Sequence, residues 1–182
     1  MVLRPFESSW TNAGIEDYIA QKSIGKLNID RLASRPIILY LNGEYWGIYT
    51  LQERIDQHYI STYNDCNPDS IDLITNWFGN VDNGSADDFL DLFSFINKND
   101  LSIKSNYEAV ENRMDIDNFI DYQIFQIFII NYDWPANNMK CWRSNQKGSK
   151  WRWIFYDGDA GLYNTEYKIF EHAMSEAVKD WP

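Results

Sequence analysis

Two β-rich runs separated by Asn42-Gly43 constrain this chain more than any other stretch. Pro36 opens Ile37-Ile38-Leu39-Tyr40-Leu41, and Tyr45-Trp46-Gly47-Ile48-Tyr49-Thr50-Leu51 follows the Asn-Gly pair. Asn and Gly accept positive φ at little cost, which a two-residue turn between twisted strands requires. The stretch is expected to be an antiparallel hairpin, and any fold for the chain must contain it. Helical spacing flanks it. Residues 14–27 carry Ile15, Tyr18 and Ile19 on one side, and 54–63 is expected to be a short helix. Residues 71–74 are expected to be a brief strand. Residues 85–97 place Phe89, Leu92, Phe93 and Ile96 on one helical face, with Ser85 as a suitable N-cap.

Further along, 104–114 is expected to be helical, and 115–130 more strongly so. That second segment opens with acidic residues, which suit a helix N-terminus, and keeps Ile116, Phe119, Ile120 and Ile127 in register. Its C-terminal half is apolar nearly all round, which predicts a central buried helix. A polar loop broken by proline follows, Asn131-Tyr132-Asp133-Trp134-Pro135-Ala136-Asn137-Asn138. Strands near 139–143 and 151–156, joined by Asn145-Gln146-Lys147-Gly148-Ser149, lead into Asp157-Gly158-Asp159-Ala160-Gly161. The sequence shows no internal repeat, low-complexity stretch or linker, so a single α+β domain over 1–182 is expected.

Composition narrows the function. With 16 Lys and Arg against 27 Asp and Glu, the net charge is -11, which repels a phosphate backbone and argues against a nucleic-acid binder. Aromatic residues make up 16% of the 182, enough for a large core or a stacking pocket. Trp46, Trp134, Trp142, Trp151 and Trp153 are expected in the core, and His58 and His172 on surfaces or helices away from any site. Cys66 and Cys141 are too few for a disulfide scaffold or a zinc centre and are expected to be buried or free thiols. No apolar run is long enough to span a membrane, and Met1-Val2-Leu3-Arg4-Pro5 has no signal-peptide pattern.

Three acidic loops are candidates for chemistry. Asp65-Cys66-Asn67-Pro68-Asp69 alternates oxygen ligands like the start of a calcium loop, but lacks the later glycine and glutamate, so a solvated turn is expected. Asp82 to Asp91 merges with a helix start. The third case combines two loops. Asp133 follows the long helix, and a hairpin would return Asp157 and Asp159 to the same end of the sheet. Carboxylates held that close repel unless a cation lies between them. Asp and Asn oxygens without His or Cys favour Mg2+ or Mn2+ over zinc. Asp133-x-x-x-x-Asn138 has the interval of a protein-kinase catalytic loop, and Asp159-Ala160-Gly161 has the outline of the kinase Asp-Phe-Gly metal motif.

Three separated stretches, in order, resemble the spore coat protein H (CotH) kinase family. They are Leu39-Tyr40-Leu41-Asn42-Gly43-Glu44-Tyr45-Trp46-Gly47-Ile48-Tyr49 with Glu53 and Ile55-Asp56; the loop from Asn131 to Asn138 with Trp142-Arg143; and Trp151-Arg152-Trp153 leading to Asp157-Gly158-Asp159. The resemblance implies a protein-kinase-like fold. It also implies transfer of the γ-phosphate of ATP, with Mg2+ or Mn2+, to Ser or Thr hydroxyls of secreted or surface proteins, and hence an extracellular or cell-surface location. By position it implies Asp133 as the catalytic Asp and Asn138 as the metal-holding Asn, with Asn137 the close alternative. Asp159 would be the metal Asp, with Asp157 a second candidate. Glu53 would fall at the hinge that meets adenine, and Arg4 is the basic residue available for the lysine that grips the phosphates.

The departures are equally specific. Asn131-Tyr132 replaces the usual His-Arg, and neither a glycine-rich phosphate loop nor a strand Val-Ala-Ile-Lys motif is present. A kinase core lacking its first strands and last helices is therefore expected. Two further readings remain: a kinase-like scaffold or surface-binding domain without turnover, and a metal-assisted hydrolase using the same carboxylates.

Overall fold

A computed structural model describes residues 1–5 and 13–179. Two sheets and six helices make a mixed α+β fold among the described residues. In chain order they are β1 (Val2–Arg4), α1 (Glu16–Ser23), β2 (Asp30–Arg31), β3 (Ser34–Leu41), β4 (Glu44–Gln52), α2 (Gln57–Tyr63), β5 (Ile71–Thr75), β6 (Asn80–Asn83), α3 (Asp87–Lys98), α4 (Lys104–Glu111), α5 (Ile116–Phe128), β7 (Lys140–Ser144), β8 (Arg152–Phe155) and α6 (Ile169–Lys179). None of these helices is long and apolar enough to cross a membrane.

The expected hairpin is β3–β4. Leu41 pairs with Glu44 across Asn42 (φ 52°) and Gly43 (φ 85°), so both central residues take the positive φ that the Asn-Gly pair permits. Leu39 faces Gly47 while Tyr40 faces Tyr45, so Trp46 is the extra residue of a bulge. β1 joins the far edge of β4, giving the antiparallel order β1-β4-β3. The tip of this sheet projects into solvent. Tyr40, Tyr45 and Trp46 are exposed there, and Trp46, at 52% exposure, is not a core residue as its composition class predicts. β4 becomes buried only where Thr50 and Gln52 approach the rest of the molecule.

The second sheet has the order β2-β8-β7-β5-β6, with β2 parallel to β8 and its other pairs antiparallel. Its β7–β8 hairpin is the one expected between the two aspartate loops. The core lies between this sheet and the helices. Trp151, Trp153, Tyr122, Phe89, Phe125 and Phe155 are fully buried, with ring pairs such as Phe89–Trp151 (5.2 Å) and Phe125–Phe155 (4.9 Å) in edge-to-face contact. A smaller cluster of Ile60, Ile71, Leu73, Trp142 and Ile154 sits beneath α2. Both cysteines are free; Cys141 is buried and its thiol is pushed well up by burial.

α3 buries Phe89, Leu92 and Phe93 as their spacing predicts. Its cap position is Ala86, and Ser85 contributes from one residue earlier by accepting the Asp87 N–H at 3.0 Å. α5 is capped by Asp115, which accepts the Asn118 N–H at 3.1 Å. It is not buried all round: Ile120, Ile124 and Phe128 face outward, while Asn118, Tyr122, Phe125 and Gln126 face in. α1 also reverses expectation, exposing Ile15 and Ile19 and burying Ala20, Gln21 and Ile24. The reason is the same in both helices. Part of each inner face meets backbone, which calls for hydrogen bonds, alongside apolar contacts such as Phe125 on Phe155. Asn118 accepts the Trp153 N–H at 2.6 Å and donates to the Asn28 carbonyl at 2.8 Å. Gln21 donates to the Phe155 carbonyl at 3.3 Å and accepts the Leu32 N–H at 3.1 Å.

Candidate active site

The loop after α5 is held from beneath by Asn131. Its backbone N–H donates to the Gln126 carbonyl at 3.1 Å, and its Nδ2 donates to Gln126 Oε1 at 2.9 Å. Its Oδ1 accepts the Asp133 N–H at 3.3 Å. Asn131 is fully buried, so the residue standing in the usual His-Arg position anchors the loop rather than facing substrate. Asp133 is half-buried. Asn138 Nδ2 lies 3.4 Å from Asp133 Oδ2, and the Asn137 N–H donates to the Asp133 carbonyl at 2.8 Å. Asn138 is half-buried at φ 57°, whereas Asn137 is exposed. The two asparagines thus differ in placement: Asn138 turns to the Asp133 carboxylate, and Asn137 contributes its backbone.

β8 delivers the second loop. Asp157 takes a left-handed conformation (φ 59°, ψ 54°), and Gly158–Ala160 form one turn of 3₁₀ helix. Glycine is required twice here. A Cβ at Gly158 would lie 2.6 Å from the Phe155 ring, and one at Gly161 would lie 2.9 Å from the Ile129 carbonyl. The Leu162 N–H donates to that same carbonyl at 2.7 Å, which ties the second aspartate loop to the C-terminal end of α5, where the first begins.

Arg4, at the end of β1, reaches across to this turn. Its guanidinium pairs with Asp157 and lies 3.8 Å from Asp159. From α1, Asp17 Oδ1 accepts the Gly158 N–H at 2.8 Å. Electrostatics link the two loops. Burial, then the neighbouring Asp157 charge, push the Asp159 carboxyl up to about 6, with Arg4 opposing. Burial and the same Asp157 charge raise Asp133, with His172 opposing. Burial also raises Asp17, against the pull of the Gly158 N–H. Asp17, Asp133, Asp157 and Asp159 therefore form one electrostatically connected group with Arg4.

Glu53 is placed differently. Its Oε2 accepts the Ala33 N–H at 2.7 Å and its Oε1 the Tyr63 hydroxyl at 2.6 Å, so its side chain braces the segment after β4 and has no part in the cluster. Three residues beside these loops escaped the sequence reading. Asp17 lies in a helix whose apolar spacing pointed to the other face. His172, expected away from any site, is held between the Trp134 carbonyl (3.0 Å) and the Tyr167 hydroxyl (3.1 Å) and bears on Asp133. Lys140, directly after the first loop, pairs with Asp82, lies 2.5 Å from Thr75 Oγ1 and sits over the Tyr156 ring. None stands in a local motif that marks it.

Cavities do not track this chemistry. One cavity of about 340 Å³ lies between the C-terminal end of α1, β2 and α2, lined by residues such as Gln21, Arg31, Tyr59 and Trp142, and another of about 500 Å³ lies between the end of α1 and α5. Beside Arg4, Asp17, Gln52 and Asp159 there is only about 20 Å³. Charge and hydrogen-bonding geometry place the candidate site at the last of these. Gln52, whose Oε1 is buried without a protein partner, lines this space of about one water.

A family model for CotH kinase protein matches residues 12–182. The chain belongs to the CotH kinase protein family. No curated protein matches it. Membership of the CotH kinase family implies a kinase-like fold and kinase activity, with ATP as phosphoryl donor and a protein as acceptor. Among the described residues, no three His, Cys, Asp or Glu side chains form a metal cage by themselves. The donors nonetheless fit Mg2+ or Mn2+. Such ions bind through one or two carboxylates, with waters and substrate phosphates completing the shell. Asp159 and Asp157, with Asn138 from the first loop, supply oxygen donors, and Gln52, whose Oε1 has no protein partner, lines the space beside Asp159.

Proposed function

We propose that this protein transfers the γ-phosphoryl group of ATP to Ser or Thr hydroxyls of a secreted or surface protein, with Mg2+ or Mn2+ at Asp159 and Asn138. The observation that carries the proposal is the convergence of the two aspartate loops: the Leu162 N–H after the second donates to the Ile129 carbonyl before the first at 2.7 Å, although a whole hairpin separates them in sequence. Asp133 orients the acceptor hydroxyl and receives its proton as the new oxygen–phosphorus bond forms and the bond to the ADP oxygen breaks. Its raised proton affinity suits that role, and Asn138 Nδ2 restrains its carboxylate. Arg4 holds Asp157 and offers a positive charge to the phosphates, in the role that a strand lysine plays in protein kinases. The metal, when bound, neutralises the charge that builds on the phosphate oxygens.

The direct test is phosphotransfer from γ-labelled ATP to a Ser/Thr-containing acceptor protein, with Mn2+ present. Asp133→Asn is expected to lower the rate by about 10²–10⁴-fold with little change in melting temperature. An unchanged rate removes Asp133 from the mechanism. One observation favours the non-catalytic scaffold instead: Arg4 already neutralises Asp157, and the space beside it is about 20 Å³. Wild-type protein whose melting temperature ignores ATP with Mn2+, and which transfers no phosphate, would decide for the scaffold.

A further inference from the structure

One face of α1 is directed at the end of β8. Asp17, Ala20, Gln21 and Ile24 fall on that face at the i, i+3, i+4, i+7 spacing of a helix. Asp17 Oδ1 accepts the Gly158 N–H at 2.8 Å. Ala20 backs the same residue closely, since a Cβ on Gly158 would lie 3.0 Å from Ala20 Cβ. Gln21 bonds the Phe155 carbonyl at 3.3 Å, and its Nε2 lies 3.5 Å from Asp17 Oδ1. Ile24 sits in the main core. The turn thus held is not one that a non-glycine residue adopts freely. Asp157 is in left-handed backbone, which Asp tolerates better than most non-glycine residues, and the contact from Asp17 falls on the very next amide.

We propose that Asp17 is a positioning residue: it clamps the Asp157-Gly158-Asp159 turn to α1 through the Gly158 amide, and so sets how Asp159 is presented to metal and nucleotide. The clamp deepens the phosphotransfer reading and rests on it for its consequence in catalysis. It acts through a backbone hydrogen bond, so an acceptor atom at position 17 matters more than a charge there. Movement of α1 would be carried directly to Asp159.

The two properties separate in two variants. Asp17→Asn keeps an acceptor of the same length and loses the charge; Asp17→Ala loses both. In metal-free protein, amide hydrogen exchange of the peptide covering 157–161 is expected to rise by about tenfold in Asp17→Ala and by less than about threefold in Asp17→Asn. Mn2+ affinity, measured with the metal alone, and kcat are expected to fall about five- to tenfold in Asp17→Ala, with the acceptor KM unchanged. Asp17→Asn should restore most of both. Ala20→Gly, which withdraws the methyl behind Gly158 but keeps Asp17, should loosen the same peptide by about two- to threefold and serves should Asp17→Ala fold poorly. Equal loosening by Asn and Ala at position 17, or none in either, overturns the clamp. A loosened turn in a protein that transfers no phosphate supports the clamp and removes the kinase reading. Active enzyme with an unaltered turn in Asp17→Ala does the reverse.

Discussion

α3 and α1 bury faces of opposite chemistry. α3 sets Phe89, Leu92 and Phe93 against rings, with Phe89 5.2 Å from Trp151 and Phe93 5.7 Å from Trp77. Its acidic residues stay at the rim, where Asp88 and Asp91 pair with Arg113 and Asp88 also pairs with Arg143. α1 turns Ile15 and Ile19 outward and buries Glu16, Ala20 and Gln21. What lies opposite explains the contrast. α3 meets side chains, where removing apolar area from water is rewarded. α1 meets the backbone of β8's end and the aspartate turn, where an apolar surface would leave N–H and C=O groups unpaired. A helix that supports a loop-built site is therefore selected for hydrogen bonding on the face where a core helix is selected for area.

The strongest way to break this contrast is Gln21→Leu. The substitution adds apolar area to a buried position, yet it orphans the Phe155 carbonyl and the Leu32 N–H and is expected to cost about 1–3 kcal/mol in urea unfolding. A more stable variant would mean that α1's inner face behaves like α3's. A smaller effect is expected at the turn that α1 supports. The Asp159 carboxyl is pushed up to about 6, so the native state binds its proton more tightly than the unfolded chain. Its contribution to stability is complete below about pH 4 and is lost as pH rises through about 6. With chelator present, Asp159→Asn should therefore match wild type near pH 4 and exceed it at pH 7 by about 1 kcal/mol, after allowance for solvent screening. Melting curves at the two pH values check this, and a difference that does not vary with pH would contradict it. The smallest effect belongs to the outer face of α1. Ile19→Ser should change stability by no more than about 0.5 kcal/mol in the same urea assay, because Ile19 is already 42% exposed.

The parts legible in the sequence are those whose cause is local. Asn42-Gly43 forms the turn through its own backbone preferences. Asp115 caps α5 three residues away. Phe89, Leu92 and Phe93 share a face because the helix repeats. The aspartate loops were visible through spacing, order of elements and family resemblance, and Asp133 and Asn138 do face one another. Other features depend on partners that no local pattern announces. Asp17 meets Gly158 across 141 positions and Arg4 meets Asp157 across 153. His172 reaches the Trp134 carbonyl from a helix well beyond both loops. Glu53 turns back to Ala33 and Tyr63 because those groups lie against the end of β4. Trp46 is exposed because the hairpin tip extends past the helices, which its aromatic character does not reveal.

The amino-acid sequence by itself determined β3, β4, β5, β7 and β8 with their two hairpins, helices α1 to α5, the two aspartate loops and the kinship with CotH kinases. Turn preference, periodicity and residue spacing act over a few residues and need no knowledge of neighbours. The tertiary structure alone decided which face of α1 and α5 turns inward and that Arg4 pairs with Asp157. It also placed Asp17 at the Gly158 amide, beside Ala20. Those outcomes are set by what each surface meets, and for this site the surface met is backbone, whose hydrogen-bonding demand is the same for every residue type and leaves no signature in the segment that satisfies it.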